Sequence, residues 1–340
     1  MDRRDSRIRG CIRMDGRKLL KIEPNQPYLD VVWQVSNFCN YKCSYCNPGN
    51  YCGDSRNDDN LITYIKNLEI ITKRYLDLGY KNFKFFFSGG EPTLWRNLIP
   101  IIEWIRENLP NVVIAVNTNF SRPLSWWKRH HHLFDDVVAS FHIEFADKEK
   151  YLENAKFCCD KFNYFSCKML MHEERFWEVA EFGNVLKDEL PNYFIEWTPL
   201  FDEMSKNAGP WEYKDPHKAQ FLQEHTVDQQ YKIPKPQLMN HFYAIGYWDD
   251  NTRAGVYSNE IILERQNFFK GWECSIGDSI WIDQIGQVSM GTCGQVKILG
   301  NILYDTLDIG PRKIICQKDH CHCGTDILIP KRKIIEIVKE

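Results

Sequence analysis

The sequence lacks the features of a membrane-spanning or secreted protein. No apolar run approaches the ~18 residues that a membrane helix needs, and the best runs, such as Val112–Val116, have strand length. Met1–Lys21 contains eight Lys and Arg residues but no apolar core, so it is not a secretory signal. Asp2, Asp5 and Asp15 make the same segment a poor transit peptide. We therefore expect a cytoplasmic protein.

The sequence also lacks internal repeats, low-complexity tracts and a strong charge of either sign. Its formal net charge is −3, so we expect neither nucleic acid nor a membrane surface as a partner. Apolar residues make up 43% and charged residues 26%, which is ordinary for a globular protein. At about 150 residues per domain, 340 residues predict two domains, or one large domain with an appendage.

Cysteine, by contrast, is unusually frequent, with 13 residues. Their odd number, their clustering and the lack of a secretion signal argue against a disulfide scaffold. In a reducing compartment such clusters more often bind metal or carry out redox chemistry. The cysteines form an N-terminal and a C-terminal group, and none lies between Cys167 and Cys274. Two metal or redox sites are therefore predicted.

Through the first two-thirds of the chain, strand-like runs alternate with segments of helical periodicity. The predicted strands are Asp30–Val35, Asn82–Phe87, Val112–Asn117, Asp136–Ile143, Tyr164–Met171 and Tyr193–Thr198. The predicted helices are Asn60–Leu78, Asn97–Leu109, Leu124–Phe134, Lys148–Lys161 and Arg175–Leu186. This alternation predicts parallel strands joined by right-handed crossovers, in either a doubly wound sheet or an incomplete (β/α) barrel. In both, ligands bind at the carboxyl ends of the strands.

The pattern changes after the sixth strand. Residues 201–270 contain four prolines and are predicted to be irregular. Residues 271–327 carry five cysteines and only short strands, Ser279–Asp283 and Gln287–Met290. We expect metal ligation, rather than a core of its own, to hold this part together. A short basic helix is predicted to begin at Pro330.

The first cysteine group follows the first predicted strand with the spacing C-x3-C-x2-C, at Cys39, Cys43 and Cys46. Three thiolates on one short loop ligate three irons of a cubic cluster and leave the fourth iron open. A zinc site of four cysteines would instead use paired motifs. Cys52 is an alternative fourth ligand, which would make the site closed.

A second motif, Ser88-Gly-Gly-Glu-Pro92, lies at the end of the second predicted strand. Its paired glycines let the backbone approach a ligand closely, and Glu91 offers a carboxylate to an ammonium group. Alone, the motif is also compatible with an ordinary turn between a strand and a helix.

Together, the two motifs resemble those of the radical S-adenosylmethionine (radical SAM) enzymes. That family has the pattern C-x3-C-x-aromatic-C, matched here with Tyr45 as the aromatic residue, followed one βα unit later by Gly-Gly-Glu-Pro. The resemblance covers roughly Leu29 to Leu200. It implies an α/β fold in which the strands form a partial (β/α)6 TIM-like barrel.

The resemblance also implies cofactors and their ligands. Cys39, Cys43 and Cys46 would hold a [4Fe–4S] cluster whose open iron binds the amino and carboxylate groups of S-adenosylmethionine (SAM). Reduction cleaves SAM to a 5′-deoxyadenosyl radical, which abstracts hydrogen from the substrate. The residues implied to line the cofactor are Tyr45, Ser88, Gly89, Gly90 and Glu91.

Polar residues at the ends of later strands fit looser family patterns. Asn117 and Asn119 end the third strand, where relatives place polar residues near the ribose. Alternation points Ser140, His142 and Glu144 to one side of the fourth strand, from which they would reach cofactor or substrate. A purely structural polar role is the alternative for each.

An acidic group lies near the end of the sixth strand, a position at the mouth of a barrel. Glu196, with Thr198, Asp202 and Glu203, is the candidate that binds substrate or takes a proton after hydrogen abstraction. A surface carboxylate is the alternative.

The second cysteine group resembles the Twitch or SPASM appendage of radical SAM enzymes, which binds auxiliary [4Fe–4S] clusters. Its five candidate ligands are Cys274, Cys293, Cys316, Cys321 and Cys323. Five cysteines suffice for one cluster with one thiol to spare, so Twitch is the closer match. The closing C-x4-C-x-C departs from the usual C-x2-C, and a zinc knuckle is the alternative.

The resemblance thus implies a radical SAM enzyme that acts on a sugar-type alcohol or a peptide side chain, with flavodoxin or ferredoxin as reductant. The Gly-Gly tail of the molybdenum-cofactor GTP cyclase is absent, so we do not expect that activity. The alternative is an iron–sulfur electron-transfer or metal-binding protein without SAM chemistry, which would not need the Gly-Gly-Glu-Pro turn. The expected organisation is a basic arm (1–28), the barrel (29–200), a linker or substrate-side segment (201–270), the auxiliary-cluster region (271–327) and a C-terminal helix (328–340).

Overall fold

The computed structural model describes residues 17–24, 28–46, 49, 51–57, 60–200, 213–231, 243–296, 298–302, 307, 310, 313–321 and 323–334. Among these residues, no helix is long and apolar enough to cross a membrane.

The described residues form strands and helices in the following order. The strands are β1 (Leu19–Pro24), β2 (Leu29–Gln34), β3 (Phe83–Ser88), β4 (Val112–Thr118), β5 (Asp136–Phe141), β6 (Tyr164–Met171), β7 (Asn192–Pro199), β8 (Val227–Tyr231), β9 (Tyr243–Trp248), β10 (Arg253–Tyr257), β11 (Glu273–Cys274), β12 (Ser279–Ile282), β13 (Gln287–Met290), β14 (Gly300–Asn301), β15 (Ile314–Ile315) and β16 (Lys331–Arg332). The α-helices are α1 (Leu61–Asp77), α2 (Leu98–Asn108), α3 (Leu124–His130), α4 (Lys148–Cys158), α5 (Phe176–Glu189), α6 (Pro216–Glu224), α7 (Ser258–Leu263) and α8 (Gly324–Leu328).

The main sheet contains the six predicted strands, β2 to β7, as parallel neighbours in chain order, with α1 to α5 between them. The prediction of an α/β fold with parallel strands is therefore confirmed. The strand order never reverses, whereas a doubly wound sheet has a switch point at which it does. The sheet is mixed, because β8 joins β7 antiparallel and β12 joins β2 parallel, followed by antiparallel β13 and β14.

The two faces of this sheet differ in chemistry because side chains alternate along each strand. One face carries apolar residues such as Trp33 and Phe85, which pack in the large core together with helix residues such as Ile102. The other face carries buried polar and charged side chains, among them Asp30 and Lys84. A site at the carboxyl ends of these strands therefore opens onto a polar face.

A second sheet has the strand order β10-β9-β1-β16-β11-β15 and corrects two expectations. The described part of the basic arm contains β1, an internal strand with Ile22 fully buried. Lys331 and Arg332 form β16 rather than a helix, and residues 335–340 lie outside the described part. The buried ammonium of Lys331 bonds to the carbonyl oxygens of Ile327 and Ile329, so a charged residue occupies an interior strand position that hydrophobicity does not reveal.

The expectation of irregular structure across 201–270 is also wrong for its described residues. They form α6, β8, β9, β10 and α7. The helix α6 begins at Pro216, and the side chain of Asp215 accepts a hydrogen bond from the backbone N–H of His217, which is an ordinary N-cap. The strands were missed because each is short and flanked by proline or polar residues.

The C-terminal cysteine region has no core of its own, as expected, but it shares one with distant parts of the chain. This second core includes Ile22 of β1, Trp248 of β9 and Ile262 of α7, with Trp272 and Ile327 of the cysteine region. In addition, β12 pairs directly with β2 of the main sheet. The region is therefore attached to the rest of the molecule through two sheets and does not depend on metal ligation alone.

Candidate functional site

The first cysteine loop begins after β2 and carries three thiols, of which that of Cys39 lies close to N–H donors. Cys39 and Cys43 are buried and Cys46 is half-buried. The thiol of Cys39 accepts hydrogen bonds from the backbone N–H of Tyr41 (3.3 Å) and from Nδ2 of Asn119 (3.5 Å). Burial raises the pKa of Cys39 to about 11, so a bound metal ion is what would keep this sulfur deprotonated.

Cys43 and Cys46 lie on one tight turn, in which the backbone N–H of Cys46 donates to the carbonyl oxygen of Cys43 (3.1 Å). A hydrogen bond between the two thiols lowers the pKa of Cys46 and raises that of Cys43. Cys52 lies nearby, but its thiol donates to the carbonyl oxygen of Cys46 (3.5 Å). The loop therefore offers three sulfur atoms as its primary ligands, with Cys52 directed at backbone.

Glu144, beyond the end of β5, holds this loop from the side. One carboxylate oxygen accepts the backbone N–H of Ser44 (2.7 Å), and the other accepts the Ser44 hydroxyl (2.5 Å) and lies 3.2 Å from Nε2 of His172. Although burial opposes it, these hydrogen bonds lower the pKa of Glu144. Glu144, one of the predicted site residues, therefore contacts the cysteine loop through Ser44.

His142 and Tyr45 form an aromatic contact beside the thiols. The Tyr45 hydroxyl lies 2.9 Å from Nδ1 of His142, and the two rings stack with centroids 6.0 Å apart. The same ring nitrogen lies 3.5 Å from the sulfur of Cys43. Burial lowers the pKa of His142 to about 4, so its imidazole is neutral at neutral pH. The structure therefore brings both predicted residues to the cysteine loop.

The glycines of the Gly-Gly-Glu-Pro turn are required by contact with the cysteine loop. Gly89 has a φ of +126°, and a Cβ there would lie 2.4 Å from the carbonyl oxygen of Ser36. A Cβ at Gly90 would lie 2.1 Å from the carbonyl oxygen of Phe38. The backbone N–H groups of Gly90 and Glu91 donate to these same two oxygens, at 2.9 and 2.7 Å. The close approach predicted toward a ligand is made in the structure toward the loop that carries the thiols.

The carboxylate of Glu91, expected to meet an ammonium group, is directed at donors of the protein itself. The side chain is fully buried and accepts hydrogen bonds from N (3.0 Å) and Oγ1 (2.5 Å) of Thr93, from Oγ1 of Thr118 (2.7 Å) and from N of Asn119 (2.6 Å). Burial raises its pKa, although all four hydrogen bonds oppose that shift. Glu91 therefore joins the ends of β3 and β4. Thr93 and Thr118 were missed as its partners because single hydroxyls carry no sequence signal.

Other predicted residues lie along the same edge of the sheet. The backbone carbonyl of Ser88 accepts a hydrogen bond from the N–H of Val35 at the start of the loop (3.0 Å). The hydroxyl of Ser140 donates to Oδ1 of Asn117 (2.9 Å), which links β5 to β4. Nδ2 of Asn119 donates to Oδ1 of Asn40 (2.9 Å) in addition to its contact with Cys39. The ends of β2 to β5 thus converge on the cysteine loop.

Glu196 has a different environment. It lies within β7, and its carboxylate accepts a hydrogen bond from the hydroxyl of Tyr164 on β6 (2.7 Å). Its register partner on β6 is Lys168. The neighbouring candidates Asp202 and Glu203 lie outside the described residues.

All five C-terminal cysteines line one cavity. The sequence did not predict three polar residues that share its wall, namely Gln295, Asp326 and Lys331. Nε2 of Gln295 donates to the sulfur atoms of both Cys293 and Cys316, each at 3.4 Å. These residues were missed because isolated Gln, Asp and Lys residues near cysteines are common in any sequence.

Buried charges surround the thiols of this cavity. Oδ2 of Asp326 accepts hydrogen bonds from N and Oγ1 of Thr292, both at 2.7 Å, and its Oδ1 has no hydrogen-bond partner. Burial raises the pKa of Cys274 to about 11, and the positive charge of Lys331 opposes this shift. In the described part of the chain, no three His, Cys, Asp or Glu side chains converge closely enough to hold a single metal ion. The thiols surround a volume instead of meeting at a point.

Comparison with known proteins supports this description of the first site. The sequence model of the Radical SAM superfamily matches residues 33–181. GTP 3′,8-cyclases from Pasteurella multocida and Photorhabdus laumondii are 30% and 32% identical to this chain over 97 residues, which is 28% of this chain and 28% of each relative. The matched part of the chain thus spans only about 28% of the length of these curated relatives.

Among solved structures, anSMEcpe with bound AdoMet has a TM-score of 0.43 at 18% identity, covering 82% of this chain and 78% of that chain. SuiB of Streptococcus suis bound to precursor peptide SuiA has a TM-score of 0.45 at 12% identity, covering 82% and 63%. The matched segment 33–181 begins in β2 and ends in α5, so it includes the cysteine loop and the Gly-Gly-Glu-Pro turn. Residues 33–181 are thus similar to the Radical SAM superfamily in the segment that carries both motifs.

Proposed function

We propose that this protein is a radical SAM enzyme in which Cys39, Cys43 and Cys46 bind a [4Fe–4S] cluster. The observation that carries the proposal is the three-thiol loop held against the Gly-Gly turn within the segment that matches the superfamily. With SAM bound at the open iron, such a cluster supplies a 5′-deoxyadenosyl radical that abstracts hydrogen from a substrate. The alternative of an electron carrier does not explain the Gly-Gly-Glu-Pro turn.

The residues around the loop are proposed to bind the cluster and to orient SAM. N–H donors from Tyr41 and Asn119 stabilise negative charge on the sulfur of Cys39, as donors to cluster thiolates generally do. Because Glu91 is fully committed to the protein, we propose that backbone groups of the Gly89-Gly90 turn, rather than this carboxylate, meet the methionine part of SAM. His142, neutral at neutral pH, accepts or donates one hydrogen bond without adding charge beside the thiols.

We further propose that the second cavity binds an auxiliary [4Fe–4S] cluster in a Twitch-like region. A zinc ion needs four ligands that meet at about 2.3 Å from one point, whereas a cubic cluster needs thiols spread around a volume. The five thiols that line one cavity favour the cluster. Asp326 and Lys331 add one buried charge of each sign to its wall.

The main sheet is proposed to curve into a partial barrel with its polar face inside. Charged and hydroxyl groups on this face, including Lys168, Glu196 and Tyr164, suit a polar substrate such as a sugar-type alcohol or a polar peptide side chain. Glu196 is proposed to bind the substrate or to take a proton from it. A flavodoxin or ferredoxin is the proposed source of electrons.

The test is to reconstitute the protein with iron and sulfide under anaerobic conditions. We expect about eight irons per chain, as two cubic clusters, and slow formation of 5′-deoxyadenosine from SAM with a strong reductant. Replacing Cys39, Cys43 and Cys46 together with Ala should leave about four irons and abolish 5′-deoxyadenosine formation. Cys159→Ala, in the large core, is the control and should retain both. About two zinc ions without acid-labile sulfide would contradict the proposal.

A further inference from the structure

We propose that Lys168 binds an anionic group of the substrate, a carboxylate or a phosphate, on the polar face of the main sheet. This inference rests on the proposed function and deepens it, because it names the class of substrate. The positive charge of Lys168 would repel a cationic substrate such as an amino sugar, whereas it would attract a substrate that carries a carboxylate or a phosphate.

Lys168 lies on the polar face of the sheet and not in the large core. Its chain neighbours Cys167 and Met169 belong to that core, and side chains alternate along a strand, so Lys168 is directed to the opposite face. On that face its register partners are Ser140 on β5 and Glu196 on β7. Lys168 is therefore placed between a hydroxyl group and a carboxyl group on neighbouring strands.

This polar row leads to the first cysteine site. The hydroxyl of Ser140 donates to Oδ1 of Asn117 on β4 (2.9 Å), which extends the row from β7 to β4. His142 follows two residues after Ser140, and its Nδ1 lies 3.5 Å from the sulfur of Cys43. A group held by Lys168 would therefore lie beside the strand that leads directly to the cysteine loop.

The ammonium group of Lys168 has no hydrogen bond or ion pair with any other residue that the structure describes, although the side chain is only partly exposed. Partly buried ammonium groups are usually paired, because burial without a partner costs free energy. Two other partly exposed lysines follow this rule. Lys187 donates to the carboxylate of Asp228 (2.7 Å), and Lys218 donates to the carbonyl oxygen of Glu173 (2.6 Å). Lys168 thus differs from them in keeping its charge for a ligand.

Glu196, opposite Lys168 in register, does not supply the missing anion. Its carboxylate accepts a hydrogen bond from the hydroxyl of Tyr164 (2.7 Å), the residue that begins β6, four residues before Lys168. Because four residues of a strand span about 13 Å, Glu196 and Tyr164 must extend toward each other to make this bond. The carboxylate is thereby drawn toward the amino ends of the strands, away from the end at which the cysteine loop lies.

The methionine carboxylate of SAM is a second possible source of an anion near this row. In the proposed function that carboxylate binds the open iron of the first cluster. The residues around the cysteine loop come from the ends of β2 to β5, whereas Lys168 lies on β6. Lys168 is therefore assigned to the substrate, and the test separates the two sources.

The test measures how fast N-acetoxysuccinimide acetylates Lys168 in the reconstituted full-length protein, with the modified lysines identified by mass spectrometry. Inorganic phosphate and acetate are the anion probes, each compared with sodium chloride at equal ionic strength and with SAM present. We expect at least one of the two probes to slow acetylation of Lys168 by about two-fold or more once its concentration reaches the dissociation constant. SAM alone should leave the rate unchanged. Lys73, exposed on α1, is the internal control and should react at one rate throughout.

Three outcomes of this measurement would overturn the proposal. Protection by SAM alone would assign the charge of Lys168 to the carboxylate of SAM. An equal rate with and without both probes would show that no anion binds there. A Lys168 that the reagent never reaches would be closed to a substrate as well.

Two variants provide the second measurement, which is calorimetric titration with the protecting anion. We expect Lys168→Gln to weaken its binding by about ten-fold or more, because a charge-assisted hydrogen bond is lost, and Lys168→Arg to retain most of it. Unchanged affinity in Lys168→Gln would contradict the assignment. Neither measurement depends on cleavage of SAM. If the unsubstituted protein forms no 5′-deoxyadenosine while an anion protects Lys168, the proposed function fails and the anion site remains; the reverse result overturns this inference alone.

Discussion

At the scale of single residues, Glu91 links the Gly-Gly-Glu-Pro turn to the end of β4. Its fully buried carboxylate accepts four hydrogen bonds from Thr93, Thr118 and Asn119. It thereby fixes the end of β4, from which Asn119 contacts the sulfur of Cys39. Glu91 therefore acts on the cysteine loop through Asn119 rather than through a ligand.

The first prediction concerns Glu91→Gln. The variant keeps the side-chain shape but places an amide NH2 against at least one of four donors, so a buried hydrogen bond is lost and a donor is left unsatisfied. We expect the free energy of unfolding to fall by about 1–3 kcal/mol, as measured by denaturant titration. Glu153→Gln, an exposed residue of α4, is the matched control and should change it by less than about 0.5 kcal/mol.

Measuring SAM binding to Glu91→Gln distinguishes support of the loop by the carboxylate from a direct contact with the ammonium group of SAM. If the carboxylate supports the loop, the free energy of unfolding of the variant falls. Its affinity for SAM then weakens only as far as the loop is displaced. Unchanged stability together with an affinity loss of about ten-fold or more would instead mean that the carboxylate meets the ammonium group directly.

At the scale of secondary-structure elements, prediction from the sequence succeeded for the long apolar runs and for the short strands β12 and β13, and it missed β1 and β16. The strands β2 to β7 are buried on both faces, so their Val, Ile and Phe content predicts them almost to the residue. The strands β1 and β16 contain the buried residues Ile22 and Lys331. Both strands lie in basic segments, so their sequence pattern does not indicate a buried strand. Their position depends on partners far away in the chain, which a local pattern cannot contain.

The second prediction tests the importance of β1. Ile22 is fully buried in the second core, so Ile22→Ala should leave a cavity there and cost about 2–5 kcal/mol. We expect faster proteolysis within residues 243–334, because those residues contribute most of this core. Ile62→Ala, at a position that is 73% exposed on α1, is the control and should be cut at the normal rate. Equal rates for the two variants would show that β1 does not support the second sheet.

At the scale of the whole molecule, the two cysteine sites are connected through one pair of strands. The first cysteine loop follows directly from β2, and β12 of the C-terminal region pairs with β2 in parallel, with Ser279 opposite Asp30. The sequence predicts two separate sites, because each has its own group of cysteines. It did not predict their connection, because pairing between strands so far apart in the chain has no local signature.

The last prediction follows from this connection and concerns Cys293→Ala. The variant removes one proposed ligand of the auxiliary cluster, but the second core and the β12–β2 pairing remain. The first site is built on the ends of β2 to β5 and contains none of the residues that line the second cavity. We therefore expect the variant to form 5′-deoxyadenosine from SAM at a rate within about two-fold of the unsubstituted protein, and its C-terminal third to remain largely resistant to protease. Formation of 5′-deoxyadenosine and limited proteolysis are the two measurements. A variant that makes no 5′-deoxyadenosine while its first cluster is intact by spectroscopy would show that the two sites do not act independently in SAM cleavage, and that the β12–β2 contact transmits the loss.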